Sequence, residues 1–431
     1  MAPPPSQIPC EVWTHVFGYL SVEDKFNVRA CCKRFKKLVD HWSLWRGWTV
    51  VLSFKNGAYN GRFWTTLRRR KVSGVVMKSA KAKDWSHLAQ NLPALTALTA
   101  ERGSPGPLKD FLKDFPQLRR LAVRGGALLF HTSSVPRPER LTHLSICSGT
   151  FSAPAKYLLA FALAQFTSLT SLVCHDLGVS GVPFWMMQTF LSCLPELKHL
   201  SLSMNLPLRR PGGVLPVCGT PPGLSSLELI NYSHNSLPEE TMRLIPRLKR
   251  LAVFYKQSHE EMQDGGLPAA LHLKTWLSDL PRLSHLVAVR GPPLQTYATS
   301  IPATVTSLTL CVSRLSSQDM AAVAARVPRL LRLHIDPWPS HLGARTAEIP
   351  HLFPKLKMLK LRCEHVAEND FLHLHRLQDL EHLEVLDNQE RLPDLAVKFR
   401  ALTQRRLQVV TRPGQRDALS CSCVSQVYGM M

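Results

Sequence analysis

The sequence predicts an α/β solenoid, a run of short parallel strands with helical or looped returns, behind a small three-helix module. Three observations predict it. One apolar motif recurs about thirteen times at near-even intervals. The last two apolar positions of that motif stand two residues apart, the spacing of one strand face. The first fifty residues break the pattern with large apolar side chains at helical spacing. Bulk properties agree: the 431 residues are 45% hydrophobic and 19% charged, ordinary values that exclude a disordered chain. A chain this long buries a core without disulfide staples. Its longest apolar run, near 157–164, is too short to span a bilayer. The opening MAPPPSQIPCEVW has neither the basic nor the apolar region of an export signal.

Residues 1–48 are expected to form the first domain, with its core at 8–45. Pro9 and Glu11 open a helix with proline and acid in the first turn. Val12, Trp13, Val16, Phe17 and Leu20 follow at i, i+1, i+4, i+5 and i+8. That stripe is wider than so small a bundle needs for its own core, which makes it a candidate for a partner's groove. Ser21 to Asp24 caps a second short helix, and residues 30–39 form a third. Cys31 and Cys32 lie in this helical pattern, where they are expected to pack as small apolar groups.

Residues 49–91 read as a basic connector with a first irregular repeat. Arg62, Arg68, Arg69, Arg70, Lys71, Lys78, Lys81 and Lys83 occur with no acid until Asp84. A solvated repeat face, a nuclear-import patch and a phosphate-binding surface all fit this cluster. Phe63 and Trp64 are its candidates for base stacking.

The solenoid is expected over 92–412. Its motif appears as LPALTAL (92–98), FPQLRRLAV (115–123), LPELKHLSL (194–202), IPRLKRLAV (245–253), LPRLSHLVA (280–288), VPRLLRLHI (327–335) and FPKLKMLKL (353–361), with weaker copies between. Most intervals run roughly 22 to 28 residues, the period of leucine-rich repeats. Each leucine buries only if the next unit supplies the facing wall, so the units stabilise one another rather than folding singly. The proline marks the exit from the return into the strand, because it lacks an N–H and disfavours helix in the residue before it. Returns at 154–166, 183–194, 238–245 and 317–327 read as helices, the last with an N-cap serine. Those at 205–223 and 290–303 are rich in Pro and Gly and read as loops. The long interval from Leu248 to Leu283, with Gly265 and Gly266, carries an extra loop. Asparagine three residues past the strand occurs only as Asn205 and Asn388, so the turns after strands are expected to be irregular. Residues 413–431 form a tail.

Strand geometry assigns the outward residues of the concave face: Arg120, Arg124, His143, His175, His199, Arg250, His285, Arg332, His334, Lys360, Arg362, His382 and Arg406. Acids at matching positions are Glu101, Glu228, Asp336 and Glu384. Histidine is enriched there, and the chain's formal charge is +22. This is a donor-rich trough for an acidic or phosphorylated segment, since arginine binds carboxylate and phosphate bidentately. The eleven cysteines are scattered without a CxxC pair, so reduced thiols, no structural metal and no cofactor are expected. Catalytic motifs for nucleotide, hydrolase, zinc-protease or kinase chemistry are missing, and the chain is expected to bind rather than catalyse.

Ile8-Pro9, Glu11, Val12-Trp13, Val16-Phe17, Leu20, Ser21 to Asp24, Cys31 to Phe35 and Leu44-Trp45 follow the F-box pattern in order. Ile8, Cys31 and Phe35 depart from it yet stay apolar. With repeats behind it, the chain resembles the F-box/leucine-rich-repeat proteins. The resemblance implies a non-catalytic substrate-recognition subunit of a Skp–cullin–F-box ubiquitin ligase, cytoplasmic or nuclear. Ile8, Pro9, Val12, Trp13, Val16, Phe17 and Leu20 would then face the Skp-type adaptor and through it a cullin, with Phe26 and Val28 in support. The repeats would hold the target protein, and neither membrane nor nucleic acid would be a partner. A basic repeat protein that binds nucleic acid or acts as a scaffold outside the ligase is the alternative.

Overall fold

The computed structural model describes residues 8–54, 59–102, 106–125, 128–129, 135–147, 153–175, 182–204, 223–233, 236–256, 267–337, 340–386, 392–403 and 407–412. Two compact units are built on Met1–Phe166 and on Thr167–Ser422.

The first unit opens with three helices, α1 (Cys10–Gly18), α2 (Val22–Cys31) and α3 (Lys33–Val39), and a turn at Trp42–Trp45. Ser21 caps α2, its Oγ accepting the Asp24 N–H at 3.0 Å. The expected helix over 30–39 is divided. Cys32 is extended (φ −158°, ψ 163°), and its Sγ accepts the Phe35 N–H at 3.3 Å. Both Cys31 and Cys32 are exposed, so neither fills the core; one ends a helix and the other caps the next. Phe17, Val39 and Trp45 make that core, packed by Trp13, Leu20, Val28, Phe35, Leu38, Leu44 and Trp48.

Five parallel strands of the main sheet follow in this unit, β1 (Thr49–Ser53), β2 (Gly74–Lys78), β3 (Ala97–Glu101), β4 (Arg120–Arg124) and β5 (His143–Cys147), with a separate short parallel pair at Gly106–Pro107 and Leu128–Leu129. Their first residues stand in register, Thr49 beside Gly74, Ala97, Arg120 and His143 in turn. Repeat geometry therefore runs through 49–91, where a first irregular repeat is expected and two strands stand. The basic connector supplies two strands whose sequences, TVVLS and GVVMK, lack the Pro-x-Leu marker. Its returns are the helices α4 (Gly61–Arg69) and α5 (Ala82–Asn91).

The second unit holds ten parallel strands: β6 (Ser171–His175), β7 (His199–Ser203), β8 (Ser226–Tyr232), β9 (Arg250–Tyr255), β10 (His285–Val289), β11 (Ser307–Cys311), β12 (Arg332–Ile335), β13 (Met358–Arg362), β14 (His382–Leu386) and β15 (Gln408–Arg412). Leu200, Leu227, Leu251, Leu286, Leu308, Leu333, Leu359 and Leu383 stack from strand to strand, none more than 2% exposed. Each such burial contributes roughly 1.5–3 kcal/mol, realised only because the next strand supplies the wall.

One hydrogen-bond device fixes where each strand begins. The Lys249 carbonyl accepts both the Ser284 N–H (2.8 Å) and the His285 N–H (2.9 Å). Ser225, Ser284 and Thr306 do the same for the pairs 249–250, 306–307 and 331–332. A second device ends strands. Ser79, Arg102, Gly125 and Arg290 take positive φ of 53°, 52°, 62° and 57°. Each donates its N–H to the last carbonyl of the next strand, at 2.7, 2.7, 2.9 and 2.7 Å. The turns expected to be irregular thus share a left-handed residue in these four repeats.

Among the returns, Phe184–Cys193 and Ser317–Arg326 are α-helices as expected, and residues 153–164 are helical too. Ser316, one residue earlier than the sequence suggests, is the cap of the second: its Oγ accepts the Asp319 N–H at 3.1 Å while its own N–H reaches Asp319 Oδ2 at 2.9 Å. Glu239–Leu244 is a tighter 3-10 turn rather than an α-helix. The loop at 290–303 contains two such turns. Arg406, Asn205, Asn388, Gly265, Gly266, most of the 205–223 loop and the tail at 413–431 lie outside the described residues. Among the described residues no helix is long and apolar enough to cross a membrane.

Candidate functional site

The broad apolar stripe of α1 separates into two. Trp13, Phe17 and Leu20 face the bundle core, with the Trp13 ring 4.8 Å from Phe35 and 5.5 Å from Phe17. Phe17 is only 3% exposed. Trp13, Leu20 and Val28 pack against that core while remaining partly buried, so of the expected adaptor-facing set only Phe17 is fully enclosed. Val12, Val16 and Tyr19, at i, i+4 and i+7, line the other side and are 48%, 43% and 79% exposed. Pro9 is exposed beside them in sequence, and the half-buried Ile8 lends its carbonyl to Arg34 Nη2 at 2.8 Å. On α2, Val22 and Phe26 repeat the pattern at 40% and 43% exposed. Tyr19 and Val22 fall outside the expected set, although Tyr19 stands three residues after Val16 and Val22 four before Phe26, a readable signal.

The basic run after α4 turns toward this module. Arg70 is 3% exposed; its Nη2 donates to Asp40 Oδ1 at 2.7 Å, and its guanidinium lies 3.9 Å from the Trp45 ring centroid and 5.3 Å from that of Phe26. Arg69 reaches Asp40 Oδ2 at 2.7 Å, and Arg29 binds both Asp40 oxygens at 2.9 and 3.2 Å. Burial alone would raise the Asp40 pKa, but hydrogen bonds from Arg29 and Arg70 outweigh it and hold the carboxyl below its usual value. Lys71 Nζ sits 4.8 Å from the Trp42 ring centroid. Trp64 is buried and Phe63 stacks on Tyr59 at 4.4 Å. The cluster is therefore in part a structural clasp, and its tryptophan is core.

On the strand faces, register places residues in three outward rows. Every acid among them is held. Arg124 Nη1 contacts Glu101 Oε1 at 3.4 Å, Lys360 Nζ contacts Glu384 Oε1 at 2.9 Å, and Arg362 grips both Asp336 oxygens at 2.8 and 3.0 Å. Glu228 Oε2 accepts from Ser201 Oγ at 2.7 Å, and Ser201 Oγ also lies 2.7 Å from His175 Nε2. His175 is 1% and Arg362 4% exposed. Arg124, Lys360, Arg362 and His175 thus have partners within the sheet. His199 Nδ1 is 3.0 Å from Ser226 Oγ; burial lowers its pKa, Glu228 opposes that, and Arg250 adds to it. His143 lies 2.8 Å from Thr142 Oγ1, and the half-buried His382 3.3 Å from Gln408 Oε1. The side chains of Arg120, Arg250 and Arg332 form no hydrogen bond or ion pair among the described residues.

Cys311, His334 and Asp336 hold ligand atoms within 4.8 Å of one another on adjacent strands, a grouping that only register reveals. Burial pushes the Cys311 thiol up to about 12, with Asp336 adding to the rise. Burial also takes His334 down to about 4, reinforced by Lys360 and Arg362 against Asp336 and Glu384. The carboxylate there is engaged by Arg362, which leaves the group a polar knot of the sheet.

No curated protein matches the chain. Among solved structures, it is similar to the chain of a TLR13–ssRNA13 complex at 16% identity and a TM-score of 0.36, covering 88% of this chain and 59% of that one. It thus spans less than two thirds of that neighbour. A leucine-rich-repeat protein of Leptospira interrogans follows at 13% identity and a TM-score of 0.32, covering 91% and 98%. Both scores are low, and the repeat assignment rests on the strand register above. The family model for the F-box-like domain matches residues 5–47. Residues 5–47 thus form an F-box-like domain, and the parallel strands behind it have the leucine-rich-repeat fold.

Proposed function

We propose that the protein is the substrate-recognition subunit of a Skp–cullin–F-box ubiquitin ligase. In this reading the F-box-like helices dock on a Skp-type adaptor, and through it a cullin. The strand faces hold an acidic or phosphorylated target for ubiquitination, in the cytoplasm or nucleus, and the chain contributes binding rather than chemistry of its own. The observation that carries the reading is the outward stripe Val12, Val16 and Tyr19 on α1, which the module's own core does not cover. Large apolar groups left in water are stabilised by burial in a partner. The alternative, a basic repeat protein binding nucleic acid, draws less support, because Trp64 is buried and Arg70 is tied to Asp40. Co-expression with a Skp-type adaptor and a cullin tests the proposal. A stoichiometric complex that survives gel filtration is the expected result. Failure to retain the adaptor, with salt-sensitive RNA binding in its place, overturns it.

A further inference from the structure

The first residues of β7 to β12 form one row in register: His199, Ser226, Arg250, His285, Ser307 and Arg332. Six hydrogen-bonding side chains stand side by side with no acid among them. Arg250, Ser307 and Arg332 have no side-chain partner among the described residues, and none of the three is buried. His285 Nδ1 is satisfied by Ser284 Oγ at 2.9 Å, and its Nε2 has no partner among the described residues. Burial and then the fields of Arg250 and Arg332 lower the His285 pKa, which shows both cations bearing on one point. In the neighbouring row Ala252, Val287 and Thr309 over β9 to β11 are small and uncharged, and its carboxylate, Glu228 on β8, accepts from Ser201 Oγ at 2.7 Å.

We infer that this row receives an extended polypeptide segment running across the strands and presenting two anionic side chains four residues apart. The inference rests on the proposed target-holding role of the strand faces and specifies what they hold. Arg250 and Arg332 are three strand steps apart, about 14 Å at the usual inter-strand spacing. Four residues of extended chain span about 13.5 Å, so both anions reach an arginine without bending the segment. His285 and Ser307, between the two, donate to the backbone or to the anions. Carboxylate and phosphoryl groups share this chemistry, and arginine binds either bidentately.

The test uses the full chain and fluorescence polarisation with labelled synthetic peptides of equal net charge. Two phosphoserines are placed two, four or seven residues apart, and a parallel set carries glutamates. The expected result is about tenfold tighter binding at four-residue spacing than at either other, with roughly tenfold loss in Arg250→Ala and in Arg332→Ala. Arg247→Ala, at an exposed turn, should change affinity less than twofold. A tighter phosphoserine set identifies a phosphorylated segment, and equal affinity of the two sets identifies a plain acidic one. Affinity that ignores spacing, or falls equally in Arg247→Ala, overturns the inference. Adaptor capture is read on the same preparation. Capture without spacing-dependent binding defeats this inference alone, and spacing-dependent binding without capture defeats the ligase reading alone.

Discussion

Asp40 is the residue on which the first unit turns. Three arginines converge on one buried carboxylate, and removing a partner from such a set leaves charge buried without compensation. Asp40→Ala should destabilise this unit by about 3–5 kcal/mol, visible as a lowered first transition in urea. An unchanged transition would mean that the guanidinium groups find water. His334 makes the matching case in the second unit. Its ordinary pKa is 6.5 and its folded value about 4. Between those values the unfolded chain takes up a proton that the folded chain refuses, so stability falls as pH falls through this window. The loss reaches about 3 kcal/mol for this residue, and His334→Gln should flatten the slope of urea midpoint against pH from 6.5 to 4. The lowered values of His199 and His285 act in the same direction, so some slope should persist. None of these pairings was legible in sequence. Asp40 and Arg70 stand 30 positions apart, Asp336 and Arg362 26, and only folding and register bring them together.

At the scale of elements, the repeat strands were legible because leucine recurs at strand spacing and must find a neighbour to be buried. Two strands escaped, β1 and β2, since Val50, Leu52, Val75 and Met77 bury as well as leucine while the proline marker is missing. Helix α1 was legible as a helix but not by face. Adjacent apolar residues, Val12 with Trp13 and Val16 with Phe17, leave the inward side undecided until α3 and the Trp42–Trp45 turn are in place. The outcome separates two kinds of variant. Phe17→Asp should unfold the helical module, read by loss of the tryptophan near-ultraviolet dichroism, because it puts a charge between Val39 and Trp45. A retained signal would place Phe17 on the surface. The strand-ending turns give a smaller effect. Ser79 adopts φ 53° with an exposed side chain, a conformation that costs a non-glycine residue roughly 1 kcal/mol. Ser79→Gly should leave stability equal or raise it by up to about 1 kcal/mol, and a clear loss in thermal melts would contradict the strain.

For the whole molecule, cations exceed acids by 22. Ion pairs on Asp40 in the first unit and on Asp336 and Glu384 in the second each set a cation against an acid and leave that excess unchanged, and register places part of it, Arg250 and Arg332, at defined row positions. The account stands on α1 having a second, uncovered apolar side. Calorimetric titration of a Skp-type adaptor against wild type and against Val12→Asp/Val16→Asp measures that directly. Binding by the wild type is expected, with at least about a hundredfold loss in the double variant and the near-ultraviolet signal of the module intact. Equal binding by the two proteins would contradict it.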